Sequence, residues 1–573
     1  MMSEALPQSC DLLVIGSGAG GLAAAVTAAA LGLDVVVVEK ESHFGGTTAW
    51  SGGWMWIPRN PLARAAGIDE DEATIRTYLR HELGGDYDEA FVTTLLEQGP
   101  RMVSFFQRET AVDFVDGNLI PDFHGKTPGA GTGGRSLCAK PFDGRALGAR
   151  LKDLRPPLDE IAPFGMNIGS GADLRHFLNA TRKLPSFLHV LQRLARHFAD
   201  RAGHGRGLQL VNGNALAARL LKSADDLGVT LRTNTAAIEM LREGGQIAGA
   251  VVETGGLRQS IRAERGVVLA TGGFPHDTRR KAELFPHAPT GEEHWSAAPS
   301  ANTGDGIRLG ETAGGHVEPG LPNAGAWAPV SLVPKPDGST GRFPHLIERA
   351  KPGAIMIRRD GRRFCNEADS YHDVMQALFA ATPPGEPAEC WLICDHAFQR
   401  RYGLGRARPR PFPIRPWLQN GYLRRGDTIE ALAAACGIDG TGLSETVAQY
   451  NHEAEQGRDP AFGRGDTPYN RVQGDPEHQP NPCVRPLGPG PFYAVKIVPG
   501  SLGTFSGLKT DASARVLDGE GAPIPGLYAV GNDMSSMMAG RYPAGGITLG
   551  PAMTFGYVAA HHASGVPLAN NRS

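Results

Sequence analysis

The amino-terminal part of the chain contains a short, continuous apolar run, DLLVI at residues 11–15. Such a run predicts a parallel strand that is buried on both faces. An alanine-rich segment then predicts a helix to about residue 31, and DVVVV at residues 34–38 predicts a second strand. Together these signals indicate a strand-turn-helix-strand unit.

A second region of alternating helix and strand signals covers residues 213–273 and ends in the run GVVLATGG. It predicts a helix at 217–227, a strand at 229–232 and a hairpin-like segment at 247–252. These elements belong with the first unit in one α/β layer structure.

The composition and the periodicity of the sequence change at about residue 278. Residues 278–496 are rich in proline- and glycine-containing loops and show few long periodic helices, whereas strand and helix signals return at 526–531 and 550–562. We therefore expect one domain built from residues 1–277 and 497–573, interrupted by a second domain at 278–496.

Composition indicates a large globular enzyme and excludes some functions. The chain has 573 residues, of which 41% are hydrophobic and 20% charged, so it can bury a large core. Its formal net charge of −3 gives no field that would attract a nucleic acid. The seven cysteines are scattered without CxxC spacing, which predicts reduced thiols and no metal site.

Three features of the sequence concern location. Its beginning, MMSEALPQSCD, lacks a basic segment followed by an apolar one, so we expect no secretory signal. The apolar stretch at 21–38 is split by Gly32 and Asp34, so no transmembrane helix is predicted. Residues 188–198 carry apolar side chains at helical spacing opposite a basic face, which favours a packed surface helix over a membrane-surface anchor. We expect a cytoplasmic protein with at most peripheral membrane association.

Glycines directly after the first strand form the pattern GxGxxG at Gly16, Gly18 and Gly21. The first allows the turn, the second a close approach of the backbone to a pyrophosphate, and the third the packing of helix on sheet. Glu39, at the end of the second strand, is positioned to accept hydrogen bonds from ribose hydroxyls. A lone GxGxxG is a weak signal, but its surroundings favour a dinucleotide site over ordinary turn glycines.

A polar loop with two glycine pairs and three hydroxyl side chains follows the second strand, at residues 45–53. Its backbone could wrap closely around a phosphate and a ribityl chain, although an ordinary loop would share this composition. The residues that we expect to contact a cofactor here are Gly45, Gly46, Thr47, Thr48, Ser51, Gly52 and Gly53.

The order of these motifs resembles the flavoprotein family that includes fumarate reductase, the succinate dehydrogenase flavoprotein subunit and the 3-ketosteroid dehydrogenases. The shared features are GGxxxxSGG at 45–53, an ATGG strand end at 270–273 and GLYAVGN at 526–532. The resemblance implies FAD and an α/β fold, with a Rossmann-like FAD-binding domain of the glutathione reductase type and an inserted α+β catalytic domain. Members with covalent FAD use a histidine near the glycine pair. His43 precedes that pair here, so we expect non-covalent FAD.

The resemblance also implies further contacts with FAD in other parts of the chain. They are Lys40, Ala237, Ala270, Thr271, Gly272, Gly531, Asn532, Gly546, Thr548 and Leu549. Pro551 and the glycines before it predict a helix that directs its N-terminus at the flavin pyrimidine ring. The positive end of the helix dipole would stabilise an anionic reduced flavin there.

The run RYPAGGITLGPAMTFG at residues 541–556 is very similar to the pattern YPGxGxTIGPAMTFG of 3-ketosteroid Δ1-dehydrogenases. In those enzymes the tyrosine and the backbone N–H of the glycine four residues on hold the ketone oxygen, which implies this role for Tyr542 and Gly546. The chemistry needs such donors, because removal of a proton next to a ketone makes an enolate. A tyrosine without this motif would more often be a packed aromatic residue.

RRFCNEADSY at residues 362–371 resembles the family's RRFxNExxxY, whose tyrosine takes the proton in ketosteroid dehydrogenases. The resemblance implies that Tyr371 is the base, whereas fumarate reductases carry their acid arginine at this place. A tyrosine with its ordinary pKa near 10 is a poor base at neutral pH without a partner or a positive field. Where the family has an auxiliary tyrosine, in a segment resembling PDYHP, this chain has Phe123 and His124, so His124 or water would have to substitute.

These features predict an FAD-dependent dehydrogenase that desaturates a cyclic ketone next to its carbonyl, most specifically a 3-ketosteroid by 1(2)-dehydrogenation. The alternatives are a fumarate reductase-like ene-reductase of an unsaturated acid or ketone, a desaturase of a smaller cyclic ketone, and a flavin-binding redox subunit without a substrate site. No second dinucleotide motif is evident, so the expected external electron acceptor is quinone-like or oxygen.

Overall fold

The computed structural model describes residues 6–568, and its central element is an eight-stranded sheet. The strand order is Arg515–Leu517, Pro523–Ala529, Leu257–Leu269, Ser9–Ile15, Val35–Val38 and Thr230–Arg232, and the strands Gln246–Thr254 and Thr235–Glu243 continue antiparallel from Leu257–Leu269. In the middle of the sheet Leu13 pairs in parallel with Val36 and Val267. These positions are fully apolar because both faces of the central strands are buried.

Three helices pack together beside this sheet. Ala19–Ala30 lies between Leu549–Ser564 and Asn212–Asp226. The approach to the C-terminal helix is close, because a Cβ at Gly556 would lie only 2.5 Å from the carbonyl oxygen of Gly20. Small residues at this contact therefore allow the helix Ala19–Ala30 to pack closely on the helix Leu549–Ser564.

A six-stranded antiparallel sheet forms the second large element. Its strands are Thr340–Pro344, Gly325–Pro334, Phe492–Thr504, Cys390–Asp395 and Ala354–Ile357 in that order, with Leu423–Gly426 also paired to Phe492–Thr504. The helix Tyr371–Ala381 packs on Gly325–Pro334, which places Tyr371 at the start of a supported helix. Phe492–Thr504 runs across the predicted boundary at residue 497, and the domain boundaries stay a prediction.

Shorter elements surround these two sheets. Trp54–Trp56, Ser136–Ala139 and Phe114–Asp116 form a three-stranded sheet, and Phe142–Asp143 pairs with Gln209–Leu210. The remaining α-helices are Pro61–Ala65, Glu72–Leu83, Glu89–Glu109, Ala172–Asn179, Leu184–His204, Thr278–Leu284, Asp305–Thr312, His396–Tyr402, Arg415–Gln419, Ile429–Cys436, Gly440–Ala454 and Pro468–Gln473. Short 3-10 helices are Gly46–Trp50, Gly84–Asp86, Gly144–Asp153, Pro163–Gly165, Glu348–Ala350 and Gly531–Asp533.

The predicted α/β fold with a Rossmann-like core is confirmed, but the bounds or the type of some predicted elements differ. The helix predicted at 217–227 already begins at Asn212. The segment 247–252 is the middle strand of an antiparallel meander instead of a hairpin, because strands on both sides of it supply partners. In the region with few expected helices, Gly440–Ala454 reaches 15 residues. None of the helices described within residues 6–568 combines the length and apolarity needed to cross a bilayer.

Candidate active site

The first strand ends in a turn where the backbone leaves no room for a side chain. Gly16 has a φ of +105°, and a Cβ there would lie 2.2 Å from the carbonyl oxygen of Ala270. A Cβ at Gly21 would lie 2.2 Å from the carbonyl oxygen of Gly16. Gly18 precedes the helix Ala19–Ala30, so the turn presents bare backbone at a helix N-terminus. This is the arrangement that binds a dinucleotide pyrophosphate.

Glu39 follows the strand Val35–Val38 and borders the cavity into which this turn faces. Its Oε2 accepts hydrogen bonds from Ser17 Oγ at 2.6 Å and Ser17 N–H at 3.2 Å, and its Oε1 accepts from Glu41 N–H at 3.0 Å. These bonds orient the carboxylate and leave it lone pairs for a ribose hydroxyl. Lys40, next along the chain, is paired with Asp305.

The glycine-rich loop closes over the N-terminus of the first helix. Thr48 Oγ1 accepts from Ala19 N–H at 2.9 Å, and Ser51 Oγ donates to the Thr48 carbonyl at 2.8 Å. Gly21 and Gly45 do not border the cavity: a Cβ at Gly45 would meet the methyl groups of Ala49 and Ala217 at 3.1 and 3.2 Å. These two glycines therefore shape the backbone behind the site.

The other residues predicted to contact the cofactor border one continuous cavity of about 1590 Å³. They are Gly16, Gly18, Glu39, Lys40, Gly46, Thr47, Thr48, Ser51, Gly52, Gly53, Ala237, Ala270, Thr271, Gly272, Gly531, Asn532, Gly546, Thr548 and Leu549. Asp533, which was not predicted, is buried and accepts from the N–H groups of Thr271 and Gly273, joining two of these loops. A pocket for one small ligand typically has about 300–1,000 Å³. The cavity therefore has room for a dinucleotide and a second ligand.

The helix Leu549–Ser564 begins at the cavity wall, beside Thr548. It sits tightly on the strand Trp54–Trp56, because a Cβ at Gly550 would lie 2.4 Å from the Trp56 carbonyl oxygen. Its first turn contains no acidic side chain, so the positive end of the helix dipole is not neutralised locally. Such an end stabilises negative charge that develops on a bound flavin.

Tyr371 and Tyr542 meet in the same cavity. Their ring centroids lie 5.1 Å apart with the planes at 83°. Burial raises the pKa of both hydroxyls. The contact between the two hydroxyls adds to the rise in the pKa of Tyr371 and acts against the rise in the pKa of Tyr542.

Gly546 lies next to the tyrosines at a position that excludes any side chain. Its φ is +101°, and a Cβ there would lie 2.6 Å from the Trp56 backbone nitrogen. The Gly545 carbonyl accepts from Ser136 Oγ at 3.3 Å. Because this carbonyl and the Gly546 N–H belong to one trans peptide, they point in opposite directions. The Gly546 N–H therefore points away from Ser136.

Phe123 occupies the space between three tyrosines. Its ring centroid lies 5.6 Å from that of Tyr542, 5.7 Å from Tyr371 and 4.4 Å from Tyr469. Tyr469, on the helix Pro468–Gln473, is buried and borders the cavity. Sequence reasoning missed it, because no motif surrounds it and only the packing of a distant helix brings it here.

His124 is turned away from the cavity and held between two carboxylates. Its Nδ1 bonds to Glu82 at 2.5 Å and its Nε2 to Asp373 at 2.8 Å. Burial disfavours its charge, but the hydrogen bonds to Asp373 and Glu82 outweigh this effect and raise the pKa of His124 to about 10. An imidazolium with both N–H groups engaged cannot accept a proton, so the structure does not support the expected relay through His124.

A buried cation near the tyrosines was also missed. Arg349 donates from Nη1 to the carbonyls of Glu367 and Asp369 at 2.5 and 2.6 Å, in the loop that leads to Tyr371. Burial raises the pKa of Tyr371 and of Tyr469, and the charge of Arg349 acts against that rise in both. Arg349 thus supplies a positive field that favours a phenolate, and burial outweighs this field at both tyrosines.

Known proteins resemble this chain over nearly its full length. The family model described as FAD binding domain matches residues 11–549. A 4-oxocyclohex-2-ene-1-carboxylate 5-dehydrogenase of Sinomonas cyclohexanicum is 41% identical, over 96% of this chain and 92% of that protein. A 3-oxosteroid 1-dehydrogenase of Mycobacterium tuberculosis is 36% identical, over 97% of this chain and 98% of that protein. The crystal structure of 3-ketosteroid delta1-dehydrogenase from Sterolibacterium denitrificans in complex with 1,4-androstadiene-3,17-dione matches with a TM-score of 0.90 at 35% identity, covering 98% of this chain and 100% of that one.

Proposed function

Since this chain belongs to the FAD-binding family that includes the 3-ketosteroid Δ1-dehydrogenases, and is an FAD-dependent dehydrogenase of cyclic ketones, we propose that it introduces the 1(2) double bond into a 3-ketosteroid. The observation that carries this proposal is the meeting of Tyr371, Tyr542 and Gly546 in one cavity with the dinucleotide site. The same cavity extends between apolar side chains of residues 174–194 and 343–347, which suits a large apolar ring system.

The residues around the glycine turn fit non-covalent FAD. Bare backbone at Gly16 and Gly18 suits the pyrophosphate, and the oriented carboxylate of Glu39 suits the ribose. When bound, FAD supplies the acceptor for the hydride that leaves the carbon β to the ketone.

The protein's own groups handle the ketone oxygen and the α proton. Tyr542 Oη and the Gly546 N–H hold the oxygen and meet the charge of the developing enolate. A ketone bound there accepts from the Tyr542 hydroxyl. Tyr371 can take up the α proton only as a phenolate, after its own hydroxyl proton has left. Burial opposes a Tyr371 phenolate, and the nearby charge of Arg349 reduces this opposition without cancelling it. We assign the onward transfer of the proton to Tyr469, whose ring packs on Phe123.

A smaller ring ketone that carries a carboxylate is the second candidate substrate. The Sinomonas cyclohexanicum relative is named for such a compound. Arg408 borders the cavity, and its buried Nη2 has no hydrogen-bond partner among the residues described. Burial and the charge of Arg406 lower the pKa of Arg408 to about 10. A carboxylate would relieve this desolvated cation.

Anaerobic stopped-flow reduction of the bound flavin tests both candidates. We expect androst-4-ene-3,17-dione to bleach the flavin rapidly and 4-oxocyclohexanecarboxylate to do so poorly. Arg408→Gln should leave reduction by the steroid unchanged. Bleaching by the carboxylate alone, with binding weakened about 10–100-fold in Arg408→Gln, would replace the steroid by the second candidate. Flavin that neither compound reduces would contradict both.

The direction of the reaction and the electron acceptor need separate measurements. An ene-reductase would instead oxidise photoreduced flavin rapidly with an unsaturated acid or ketone, which we do not expect with Tyr371 at the place of the reductases' arginine. The quinone-like or oxygen acceptor and the cytoplasmic location stay predictions from the sequence.

A further inference from the structure

Residues 161–206, which we call the cavity-mouth segment, expose an unusual amount of apolar side chain. Of the sixteen large hydrophobic side chains that are exposed within residues 6–568, seven lie in this short segment. They are Ile161, Phe164, Leu184, Phe187, Leu188, Leu191 and Phe198. Single exposed hydrophobic residues are ordinary, but a group of them marks an interaction surface.

The helix Leu184–His204 in this segment is turned with its apolar face outward. Leu184, Leu188 and Leu191 share one face by their spacing, and all three are exposed. Its buried residues are polar: Ser186, Arg193, His197 and Asp200. The predicted helix is therefore present, but the prediction that its apolar face is packed is wrong.

Hydrogen bonds of the polar face explain this orientation. Arg193 Nη2 donates to the Asn167 carbonyl at 2.8 Å, and His197 Nε2 bonds to the Phe164 carbonyl at 3.0 Å. Buried polar groups of this kind are costly to leave unpaired. They hold the polar face against the protein, so the leucines remain outside.

The apolar face continues into the cavity that holds the candidate active site. Phe187 and Leu191 are half-exposed at the surface and also border the cavity. Phe412, another exposed residue of the cavity wall, contacts Phe164 with ring centroids 6.0 Å apart. The cavity thus opens within the apolar face.

The exposed charges of the cavity-mouth segment are all positive. They belong to Arg175, Arg182, Lys183, Arg196 and Arg201. Its two acidic residues are turned inward, where Asp173 bonds to His189 and Asp200 to Arg145. Outside the segment, Glu477 pairs with Arg182 and Lys183. A symmetric contact with a second copy would bring these cations together, whereas an anionic lipid surface supplies the opposite charge.

We propose that the cavity-mouth segment docks the protein on an anionic lipid bilayer. The helix Leu184–His204 lies in the headgroup region, with its leucines toward the acyl chains and its arginines among the phosphates. The cavity then opens toward the membrane, so an apolar ketone dissolved in the bilayer reaches the tyrosines without crossing water. Only this last step rests on the proposed function.

Flotation of the FAD-loaded full chain with lipid vesicles tests the proposal. We expect binding to vesicles of phosphatidylcholine and phosphatidylglycerol, weaker binding to phosphatidylcholine alone, and weakening by salt. Leu184→Glu with Leu188→Glu changes two exposed residues that do not border the cavity, and should lower the partition coefficient at least about tenfold for each leucine. Leu257→Glu, at a leucine 78% exposed on the strand Leu257–Leu269, is the matched control and should bind like the unaltered protein.

Three outcomes would overturn the proposal. The first is absence of flotation with both kinds of vesicle, and the second is equal flotation of the unaltered protein and the double variant. In the third, sedimentation velocity shows a dimer of the unaltered protein and a monomer of the double variant, and vesicles bind neither protein. That result would assign the apolar face to a contact between two copies of the chain. Vesicle binding without flavin reduction by any ketone would leave the docking intact and contradict the proposed function alone.

Discussion

At the scale of single residues, the proposed function gives the two buried tyrosines different tasks on one ketone. Burial raises the pKa of Tyr371, so its hydroxyl is protonated before substrate binds. The base is therefore not a preformed phenolate exposed to water. Tyr371, the proposed base, acts only after its hydroxyl proton has left, and the charge of Arg349 favours the resulting phenolate.

Removing each hydroxyl separately should distinguish these tasks. In Tyr371→Phe we expect substrate still to bind while flavin reduction falls about 10²–10⁴-fold, because the proton acceptor is lost. In Tyr542→Phe binding should weaken and reduction fall about 10²–10³-fold, because this donor meets both ketone and enolate. Stopped-flow reduction by androst-4-ene-3,17-dione measures both quantities, with Tyr528→Phe, whose hydroxyl contacts His562, as the control. Near-normal reduction in Tyr371→Phe would exclude it as the base.

Tyr469 and Phe123 allow a rescue experiment. If Tyr469 passes the proton on, Tyr469→Phe should slow flavin reduction at least about tenfold without a large change in substrate binding. Phe123→Tyr restores a hydroxyl between the same rings, so the double variant should regain much of the rate. The pH profile of reduction should shift in Tyr469→Phe and return in the double variant. A double variant as slow as Tyr469→Phe would show that Tyr469 has only a packing role.

At the scale of secondary structure, His124 connects the helix Glu72–Leu83 to the helix that begins with Tyr371. Its bonds to Glu82 and Asp373 hold the first turn of Tyr371–Ala381 in place. Ser370 caps the same turn, accepting from Asp373 N–H at 3.2 Å. The proposed base is thus positioned by His124 and Ser370, neither of which borders the cavity.

This bridge predicts a pH-dependent stability. The pKa of His124 rises from an ordinary 6.5 to about 10 in the folded protein. The contribution of His124 to the free energy of unfolding is therefore fully present below about pH 6.5 and is lost as the pH rises toward 10. We expect His124→Gln to lower the free energy of unfolding most at about pH 6, and progressively less at higher pH. Urea denaturation over this range measures the difference, with the exposed His452→Gln as control, and a deficit independent of pH would contradict the bridge.

At the scale of the whole molecule, one cavity joins elements from both large sheets. Strand ends of the first sheet border the dinucleotide end, and Tyr371 comes from a helix packed on the second sheet. Hydride and proton must leave neighbouring carbons of one ring, so the chemistry needs both parts in a fixed relation. Cofactor binding should consequently stabilise the entire fold.

The stabilisation by FAD can be measured directly. A ligand that binds only the folded state raises Tm by an amount that grows with its concentration over Kd. We expect added FAD to raise the Tm of the apoprotein, and Glu39→Ala to weaken FAD binding about 10–100-fold, since its hydrogen bond to the ribose is charge-assisted. Glu41→Ala, which removes the residue paired with Arg155, is the control. Identical FAD titrations for Glu39→Ala and unaltered protein would place the ribose elsewhere.

The sequence by itself determined the dinucleotide unit and led to the proposed ketone clamp. In both, the residues that act together are neighbours along the chain: Gly16 to Gly21 with the next strand, and Tyr542 to Gly546 before the last helix. The role of the glycine turn follows from local sterics, whereas the roles of Tyr542 and Gly546 are those that the resemblance to 3-ketosteroid Δ1-dehydrogenases implies.

Only the tertiary structure decided what surrounds these motifs. It brought Tyr469 beside Phe123, engaged His124 with two carboxylates, and placed Arg349 behind Tyr371. It also turned the leucines of Leu184–His204 outward, although their spacing alone predicts a packed face. Periodicity shows which side of a helix is apolar, but what covers that side depends on contacts between segments far apart in the chain.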